Sequence, residues 1–326
     1  MLDEEAHIEA CLASVLGQDY PPDRIEVLVV DGGSRDRGPD MVRAVAAADA
    51  RVRLLHNPRR IQTVAFNMAI REGRGEYLAL VSAHSAIQPD YVARCVAALE
   101  SSGADNVGGR MAGVGRTTAG RAIAAAWSSR AAVGGAAHHY ATQDMDAATA
   151  FPGFFRRSVF DRVGMFDESL PVHEDYELNW RIRAAGGRVR YTAGVSTEYV
   201  VRGSLRALAV QQFRYGVGKA TVALRHGRGV MRPYHYVPPL FVAAVTAGAL
   251  ASPFSPAARR ALGVGLAAYG AVVGAATVQA GRGSTPRERA LIPAALVTMH
   301  VCWGAGIWAG LARGLRRRRE AQSSDV

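Results

Sequence analysis

Hydrophobic and polar positions follow two different patterns along the 326-residue chain, and the pattern changes near residue 232. Before that point, short β-branched runs alternate with segments whose apolar residues recur at helical spacing. The predicted elements are strand 25–31, helix 41–48, strand 51–55, helix 64–71 and strand 76–81. This order predicts an α/β domain with a doubly wound sheet, in which ligands collect beyond the carboxyl ends of the strands.

Long apolar runs dominate the chain after residue 232. They cover residues 237–253, 261–280 and 290–312, and about 20 apolar residues are needed to cross about 30 Å of hydrocarbon. The second and third runs are long enough, whereas the first is short and begins with two prolines, so a tilted, re-entrant or interfacial segment is an alternative for it. We therefore predict an α/β domain at 1–232 and a membrane-associated helical region at 233–326. The alternative is a buried helical hairpin of a soluble domain.

Arginines near these runs bear on how the chain crosses a membrane. The tail at 313–319 is the most basic part of the chain, and dense arginine beside a span favours the cytoplasmic side. Three spans after a cytoplasmic domain would leave this tail outside, whereas two spans and one non-spanning segment would keep it inside. The second arrangement is our interpretation, although the arginines of the loop 281–289 also favour the cytoplasm and no arrangement satisfies every cluster.

The formal net charge of +11 excludes few functions by itself. Nearly all of the positive charge is arginine, with Lys219 as the single lysine, and the arginines form no stripe with interleaved aromatic residues. This distribution argues against nucleic-acid binding. The three cysteines are far apart and form no CxxC pair, so neither a zinc site nor a disulfide framework is predicted. The acidic residues at positions 3–5 are unlike the basic start of a signal peptide.

Two places in the first domain carry candidate chemistry. Asp31 ends the first strand before a Gly-Gly turn, and His84 follows the third strand, so both are expected at the ligand edge of the sheet. A strand-end acid is more often a turn cap than a ligand, and GxGxxG is absent after this strand. Glu174 and Asp175 stand at the start of a predicted helix. They are either a cap and dipole partner or a carboxylate that accepts a proton from a substrate hydroxyl.

Four segments in this order resemble the family 2 glycosyltransferases, which are inverting enzymes with a GT-A nucleotide-sugar-binding fold. The segments are Asp3-Glu4-Glu5 with the helix pattern 11–18, the turn 29–36, the pair Glu174-Asp175, and a QxxRY motif formed by Gln211, Arg214 and Tyr215. Finer likeness at 57–67, 154–156 and 300–306 is to membrane enzymes of succinoglycan-type exopolysaccharide assembly. Those enzymes transfer a glucosyl residue to a lipid-linked saccharide.

The resemblance implies a role for each matching residue. Asp175 is the expected catalytic base, with Glu174 as the second choice. The residues expected to bind the nucleotide sugar are Glu5, Asp31, Asn67, Ser82 and His84, and those expected to contact the acceptor or the diphosphate are Gln211, Arg214 and Tyr215. The implied partners are a nucleotide sugar donor such as UDP-glucose, a lipid-linked saccharide and membrane lipid. The implied location is the cytoplasmic membrane, with the catalytic domain facing the cytoplasm.

Two departures from the family pattern leave an alternative open. The family places an aspartate where this chain has Ser82, and a serine is a poor ligand for Mg²⁺ or Mn²⁺. A divalent metal is therefore in doubt as a cofactor, with His84 as its one candidate ligand. The second departure is that the family's first strand normally precedes the acidic segment, and only Met1 and Leu2 precede it here. A catalytically silent membrane protein that binds nucleotide sugar or glycan lipid is the alternative.

Overall fold

The computed structural model describes the backbone of residues 1–324. Its strands are β1 Val27–Asp31, β2 Val52–His56, β3 Tyr77–Ala79, β4 Ser85–Ile87, β5 Asn106–Val114, β6 Met145–Asp146, β7 Phe151–Arg156 and β8 Val189–Val200. Its helices are α1 Ile8–Leu16, α2 Gly38–Ala48, α3 Gln62–Glu72, α4 Tyr91–Ser102, α5 Thr118–Trp127, α6 Arg130–Val133, α7 Ser158–Val163, α8 Glu174–Ala184, α9 Leu205–His226, α10 Val237–Ala251, α11 Pro256–Ala280 and α12 Pro286–Ser324. Residues 325 and 326, at the end of the predicted membrane region, lie outside the described part, as do the side chains of residues 137, 228, 317–319 and 321–324.

The chain forms two compact units, each made from two separate stretches. The first unit contains residues 1–112 and 136–200, and the second contains 113–135 and 201–326. The compact units do not test the domain boundary that the sequence predicts at residue 232, and that boundary stays a prediction.

The first unit begins with the predicted strand and helix alternation. β1 and β2 pair in parallel, with Val27 opposite Val52 and Asp31 opposite His56. Helices pack on this pair through a cluster of apolar residues, namely Ile8, Leu12, Val29, Val42 and Val52. Burial of these side chains stabilises the pair because the β-branched strand residues remove apolar area from water.

A larger sheet follows in the same unit, with strand order β3-β7-β5-β8-β4 and β6 beside β8. The predicted third strand is present, but it is short and pairs antiparallel with β7 in this second sheet. β7 divides the core because successive residues of a strand point to opposite faces. Phe154 packs with Tyr91 and Leu99, whereas Phe155 packs with Phe160 and Leu178. The helix α8, which carries Glu174 and Asp175, is thereby fixed against one face of the sheet.

The second unit is helical, and three of its helices are long and apolar enough to cross a membrane. These candidate spans are Pro233–Ala251, Pro256–Ala280 and Pro286–Arg316. They contain the second and third predicted apolar runs and all but the last two residues of the first. Helix α9 precedes them in the same unit and carries the QxxRY motif.

Candidate active site

Asp31 lies at the carboxyl end of β1 and binds the turn that follows it. Its Oδ2 accepts from the amide of Gly33 at 3.0 Å, and its Oδ1 accepts from the hydroxyl of Ser34 at 2.6 Å. Gly33 has φ of 78°, a left-handed conformation that glycine adopts without steric cost. The carboxylate therefore caps its own turn, as the more common reading of a strand-end acid expects. A further role in nucleotide binding stays a prediction.

The acidic segment at residues 3–5 is bonded to the same turn. The amide of Asp3 donates to Ser34 Oγ at 2.9 Å, and the amide of Glu5 donates to Asp36 Oδ2 at 2.7 Å. The side chain of Glu5 pairs with Arg37 at 2.8 Å. Hydrogen bonds from Arg37 hold the pKa of Glu5 below its usual value. Hydrogen bonds thus join residues 3–5 to the turn after β1. Within this contact, the observed role of the Glu5 side chain is an ion pair with Arg37.

His84 is the polar end of the turn between β3 and β4, and it contacts the acidic segment. Its Nδ1 lies 3.0 Å from Oε1 of Glu4, and its ring meets the ring of Tyr199 edge-on with centroids 5.9 Å apart. A carboxylate at Nδ1 orients the imidazole and leaves Nε2 to face a ligand. Glu4 is a residue that sequence reasoning missed. The available signal was its place beside Glu5 in a run of three acids.

The residues at this turn do not by themselves form a metal centre. Among the described residues there is no group of three or more His, Cys, Asp or Glu side chains that could hold a metal ion. Ser82 supplies a neutral hydroxyl where a hard cation prefers a charged oxygen. The fit to a divalent metal is therefore poor on the protein's own ligands, and the metal that the family resemblance implies stays a prediction.

Asn67 on α3 forms buried hydrogen bonds to the segment before α8. It is buried, and its Nδ2 donates to the carbonyl of Phe166 at 2.9 Å and to Oε1 of Glu168 at 3.0 Å. Its Oδ1 accepts from the amide of Phe166 at 3.0 Å. These contacts tie α3 to the segment before α8. The observed role of this amide is structural, and its predicted contact with the donor is not tested.

Helix α8 begins at Glu174, as the sequence predicts, and Asp175 follows in its first turn. The residue before the helix, His173, has φ of 63°, a left-handed conformation that is uncommon for residues other than glycine. Strained backbone of this kind persists only where the surrounding structure holds it. The surrounding structure thus holds the first turn of α8 in place. Both candidate carboxylates, Glu174 and Asp175, lie in this turn.

A buried polar network holds α8 against the sheet. Asn106 on β5 donates to Oδ1 of Asn179 at 2.6 Å and accepts from the amide of Phe154 at 3.0 Å. Two residues earlier on α8, Glu177 is buried and pairs with Arg181 at 2.8 Å. Buried networks whose members are satisfied fix a unique arrangement. The network therefore fixes α8, the helix that carries Asp175, against the sheet.

Burial, and to a smaller extent the charge of neighbouring Asp175, raises the pKa of Glu174 to about 7. Two carboxylates in one partly buried turn resist ionising together. Glu174 therefore keeps its proton up to about pH 7.

Replacing Glu174 by glutamine is expected to stabilise the protein most above pH 7. Folding raises the pKa of Glu174 from 4.5 to about 7, so between these values the folded state binds a proton that the unfolded chain releases. The stability of the native protein therefore falls as pH rises through this window. Melting temperatures of native protein and Glu174→Gln, measured from pH 4.5 to 8.5, should diverge as pH rises, whereas exposed Glu9→Gln should show no such divergence. A gap that is constant with pH would contradict the assignment.

The residues of the QxxRY motif lie in the second unit, on α9. Gln211 is buried and donates to the hydroxyl of Tyr215 at 3.3 Å. Arg214 is exposed on the same helix. The structure therefore joins Gln211 and Tyr215, whereas the predicted roles of all three toward the acceptor or the diphosphate remain predictions.

Comparison with known proteins identifies the family. Residues 1–164 match the family model described as Glycosyl transferase family 2. The succinoglycan biosynthesis protein ExoA of Rhizobium meliloti (strain 1021) is 35% identical over 321 residues, which cover 97% of this chain and 94% of that protein. This chain belongs to the family 2 glycosyltransferases. The family resemblance read from the acidic segment, the strand-end turn, the Glu174-Asp175 pair and the QxxRY motif is confirmed.

A more distant relative of this glycosyltransferase is archaeal. It is the dolichyl N-acetyl-alpha-D-glucosaminyl phosphate 3-beta-D-2,3-diacetamido-2,3-dideoxy-beta-D-glucuronosyltransferase of Methanococcus voltae, 24% identical over 226 residues. The match covers 67% of this chain and 70% of the relative.

Solved structures confirm the GT-A type fold of this family 2 glycosyltransferase. The mannosyltransferase PcManGT from Pyrobaculum calidifontis, in complex with GDP-Man and Mn²⁺, has a TM-score of 0.66 at 22% identity, over 95% of this chain and 85% of that one. Residues 1–349 of S. aureus TarS, in complex with UDP, have a TM-score of 0.51 at 15% identity, over 95% and 88% of the two chains. At these identities the likeness concerns the fold. The α/β class predicted from the sequence is correct.

Proposed function

We propose that this glycosyltransferase moves a hexose, with inversion, from a nucleotide diphosphate sugar to a lipid-linked saccharide in cell-surface or exopolysaccharide synthesis. UDP-glucose is the donor that we propose. The observation that carries the proposal is the similarity over nearly the full chain to a protein named for succinoglycan biosynthesis. The name of the archaeal relative specifies a dolichyl phosphate sugar, which supports a lipid-linked acceptor.

Asp175 is the proposed general base. The acceptor hydroxyl oxygen attacks the anomeric carbon, the bond from that carbon to the diphosphate oxygen breaks, and the hydroxyl proton passes to the Asp175 carboxylate. A base must come within about 2.6–3.2 Å of that hydroxyl. The helix start at Glu174 and the raised pKa of Glu174 support this assignment, because they leave Asp175 as the ionised member of the pair.

The departing diphosphate needs positive charge and hydrogen-bond donors in a site arranged in advance. We assign one such donor to Nε2 of His84, whose other ring nitrogen is held by Glu4. The QxxRY motif supplies Arg214, whose planar guanidinium suits phosphate oxygens. Asp31 and the turn around it are the proposed contacts for the nucleoside, where they set nucleotide identity and perform no bond chemistry.

The three candidate membrane helices support an acceptor whose lipid lies in a bilayer. Nucleotide sugars are made in the cytoplasm, so the proposed location is the cytoplasmic membrane with the donor site on the cytoplasmic side. This orientation places the reactive sugar of a lipid-linked acceptor at the membrane surface, where a membrane-bound enzyme meets it without extracting the lipid.

Membranes containing the protein are expected to release nucleoside diphosphate from UDP-glucose when lipid-linked saccharide is added. The measurement compares UDP-glucose, UDP-galactose and GDP-mannose, each with and without acceptor, and each with manganese or a chelator. Acceptor-dependent release that is largest with UDP-glucose supports the proposal, whereas preference for another donor corrects the donor alone. Complete absence of release with every donor contradicts the transferase proposal and favours the silent binding protein.

A further inference from the structure

The loop between β2 and α3, at residues 57–61, contacts the turn that follows Asp31. β1 and β2 pair in parallel, so the chain leaves both strands at the same edge of the sheet. The amide of Asn57 donates to the carbonyl oxygen of Asp31 at 2.7 Å. A Cβ atom added at Gly32 would lie 3.7 Å from Cα of Arg60. The backbone of Arg60 therefore lies against the turn that we assign to the donor nucleoside.

A buried asparagine holds this loop in its conformation. Asn57 is 1% exposed. Its Nδ2 donates to the carbonyl oxygen of Ile61 at 2.9 Å, and its Oδ1 accepts from the amide of Arg59 at 3.1 Å. Its carbonyl oxygen accepts from the amide of Arg60 at 3.2 Å. One buried residue thus bonds to the loop at three places, and these bonds fix the position of Arg60.

The backbone of Arg60 has a conformation that few residues adopt. Its φ is 57°, in the left-handed region that is uncommon for residues other than glycine. Glycine would adopt this φ without steric cost. Backbone strain of this kind persists only where the surrounding structure holds it, and it is frequent at ligand sites. An arginine at a position that favours glycine indicates that its side chain has a function.

The guanidinium of Arg60 is free to bind a ligand. The residue is exposed, and within the part of the chain that the structure describes its side chain forms no ion pair or hydrogen bond. The neighbouring Arg59 differs, because it forms an ion pair with Glu168. Of these two adjacent arginines, one thus contributes to the fold and the other presents its charge to the ligand edge of the sheet.

The position of Arg60 indicates which part of a nucleotide sugar it meets. We assign the diphosphate to His84 and Arg214, so the part of the donor beside Asp31 and Arg60 is the nucleoside. A guanidinium has N–H donors and no acceptor. Uracil and guanine present a ring carbonyl oxygen as an acceptor where cytosine and adenine present an amino group, which is a donor. Arginine therefore pairs with the first two bases and opposes the other two.

We propose that Arg60 is a specificity-determining residue of the donor site. Its guanidinium donates to a ring carbonyl oxygen of the donor's base and restricts the donor to uracil and guanine nucleotides. This inference rests on the proposed function, because that function places the nucleoside at the turn after Asp31. It concerns the base alone and does not depend on which sugar is transferred.

Calorimetric titration of the detergent-solubilised full-length protein with nucleoside diphosphates tests the inference, with Mn²⁺ present throughout. UDP is compared with CDP, and GDP with ADP, because a carbonyl oxygen in the first of each pair is an amino group in the second. We expect UDP to bind the native protein at least about ten-fold more tightly than CDP, since a hydrogen bond to a charged group contributes about that factor. GDP should likewise bind more tightly than ADP.

In Arg60→Gly, the affinity for UDP should fall by about ten-fold and the preference over CDP should disappear. Glycine fits the observed φ, so this variant should fold and should melt at the native temperature or above it. Arg59→Ala removes the neighbouring arginine, whose partner is Glu168, and should leave the UDP and CDP affinities unchanged. Arg35→Ala removes another exposed arginine, in the turn after Asp31, and should also retain the preference for UDP.

Three results would overturn the inference alone. Equal losses of UDP and CDP affinity in Arg60→Gly would place the guanidinium on the diphosphate. A native preference for UDP in Arg60→Gly, with that preference lost in Arg35→Ala, would assign the base to Arg35. Tight binding of UDP and CDP to the native protein without preference would show that the carbonyl oxygen is not recognised. Absence of binding by every nucleoside diphosphate would contradict the proposed function as well, because the donor site itself would be missing.

Discussion

Asp175→Asn is expected to lower kcat for hexose transfer by about 10²- to 10⁴-fold, the usual contribution of a general base. Asparagine keeps the size of the side chain, and the first turn of α8 remains held by the network around Asn106 and Asn179. The KM for the donor should change little, because the base acts on the acceptor hydroxyl. Initial rates of diphosphate release at saturating acceptor measure the effect.

Two variants separate this assignment from its competitors. Asp161→Asn changes an exposed acid in the first turn of α7 and should leave kcat unchanged. Glu174→Gln should retain more activity than Asp175→Asn, because Glu174 is the member of the pair that holds its proton. The reverse order, with Asp175→Asn active and Glu174→Gln inactive, would transfer the role of base to Glu174.

Gly306→Leu is expected to lower the melting temperature of the detergent-solubilised protein by about 2–12 °C. A side chain at this position meets the backbone of α9, with its Cβ 2.2 Å from the carbonyl oxygen of Phe213. Overpacking of this kind costs about 1–3 kcal/mol, and each kcal/mol corresponds to about 2–4 °C in a domain of about 150–250 residues. Gly306→Ala should give a smaller decrease in the same direction.

Gly270 on α11 offers the matched control, since a Cβ there meets no atom within 4 Å. Gly270→Ala and Gly270→Leu should leave the melting temperature unchanged or raise it, because glycine in a helix is less favourable than alanine by about 1 kcal/mol. Equal destabilisation by leucine at 306 and at 270 would show that the close contact between α9 and α12 does not exist in the membrane protein.

The sequence predicts elements well where the local pattern decides them. The β-branched runs that form β1 and β2 were placed to within two residues, because each run is bounded by turn-forming residues and packs against one cluster. The pairing of β3 was not predictable in the same way. Backbone hydrogen bonds carry no residue signature, and the partner strand β7 lies more than 70 positions later in the chain.

In the candidate site, too, local features were predicted and contacts between distant residues were not. Local spacing predicts that Glu174 and Asp175 lie in the first turn of a helix, and in the structure α8 begins at Glu174. The contact between Glu4 and His84 joins residues 80 positions apart, and Asn67 binds Phe166 at a separation of 99 positions. Only the folded chain brings such residues together. Sequence reasoning therefore named His84 without the carboxylate that orients it, and named Asn67 without its structural partners.

The glycine contact between α9 and α12 also determines where this protein can be divided. A chain ended at residue 232, just before the first apolar run, would keep α9 and lose the helix that covers its inner face. That face includes Gly216 and Ala220, and it would be left in water beside the QxxRY motif. A cut at the predicted boundary would therefore uncover α9, because α9 is packed by α12 in the same compact unit.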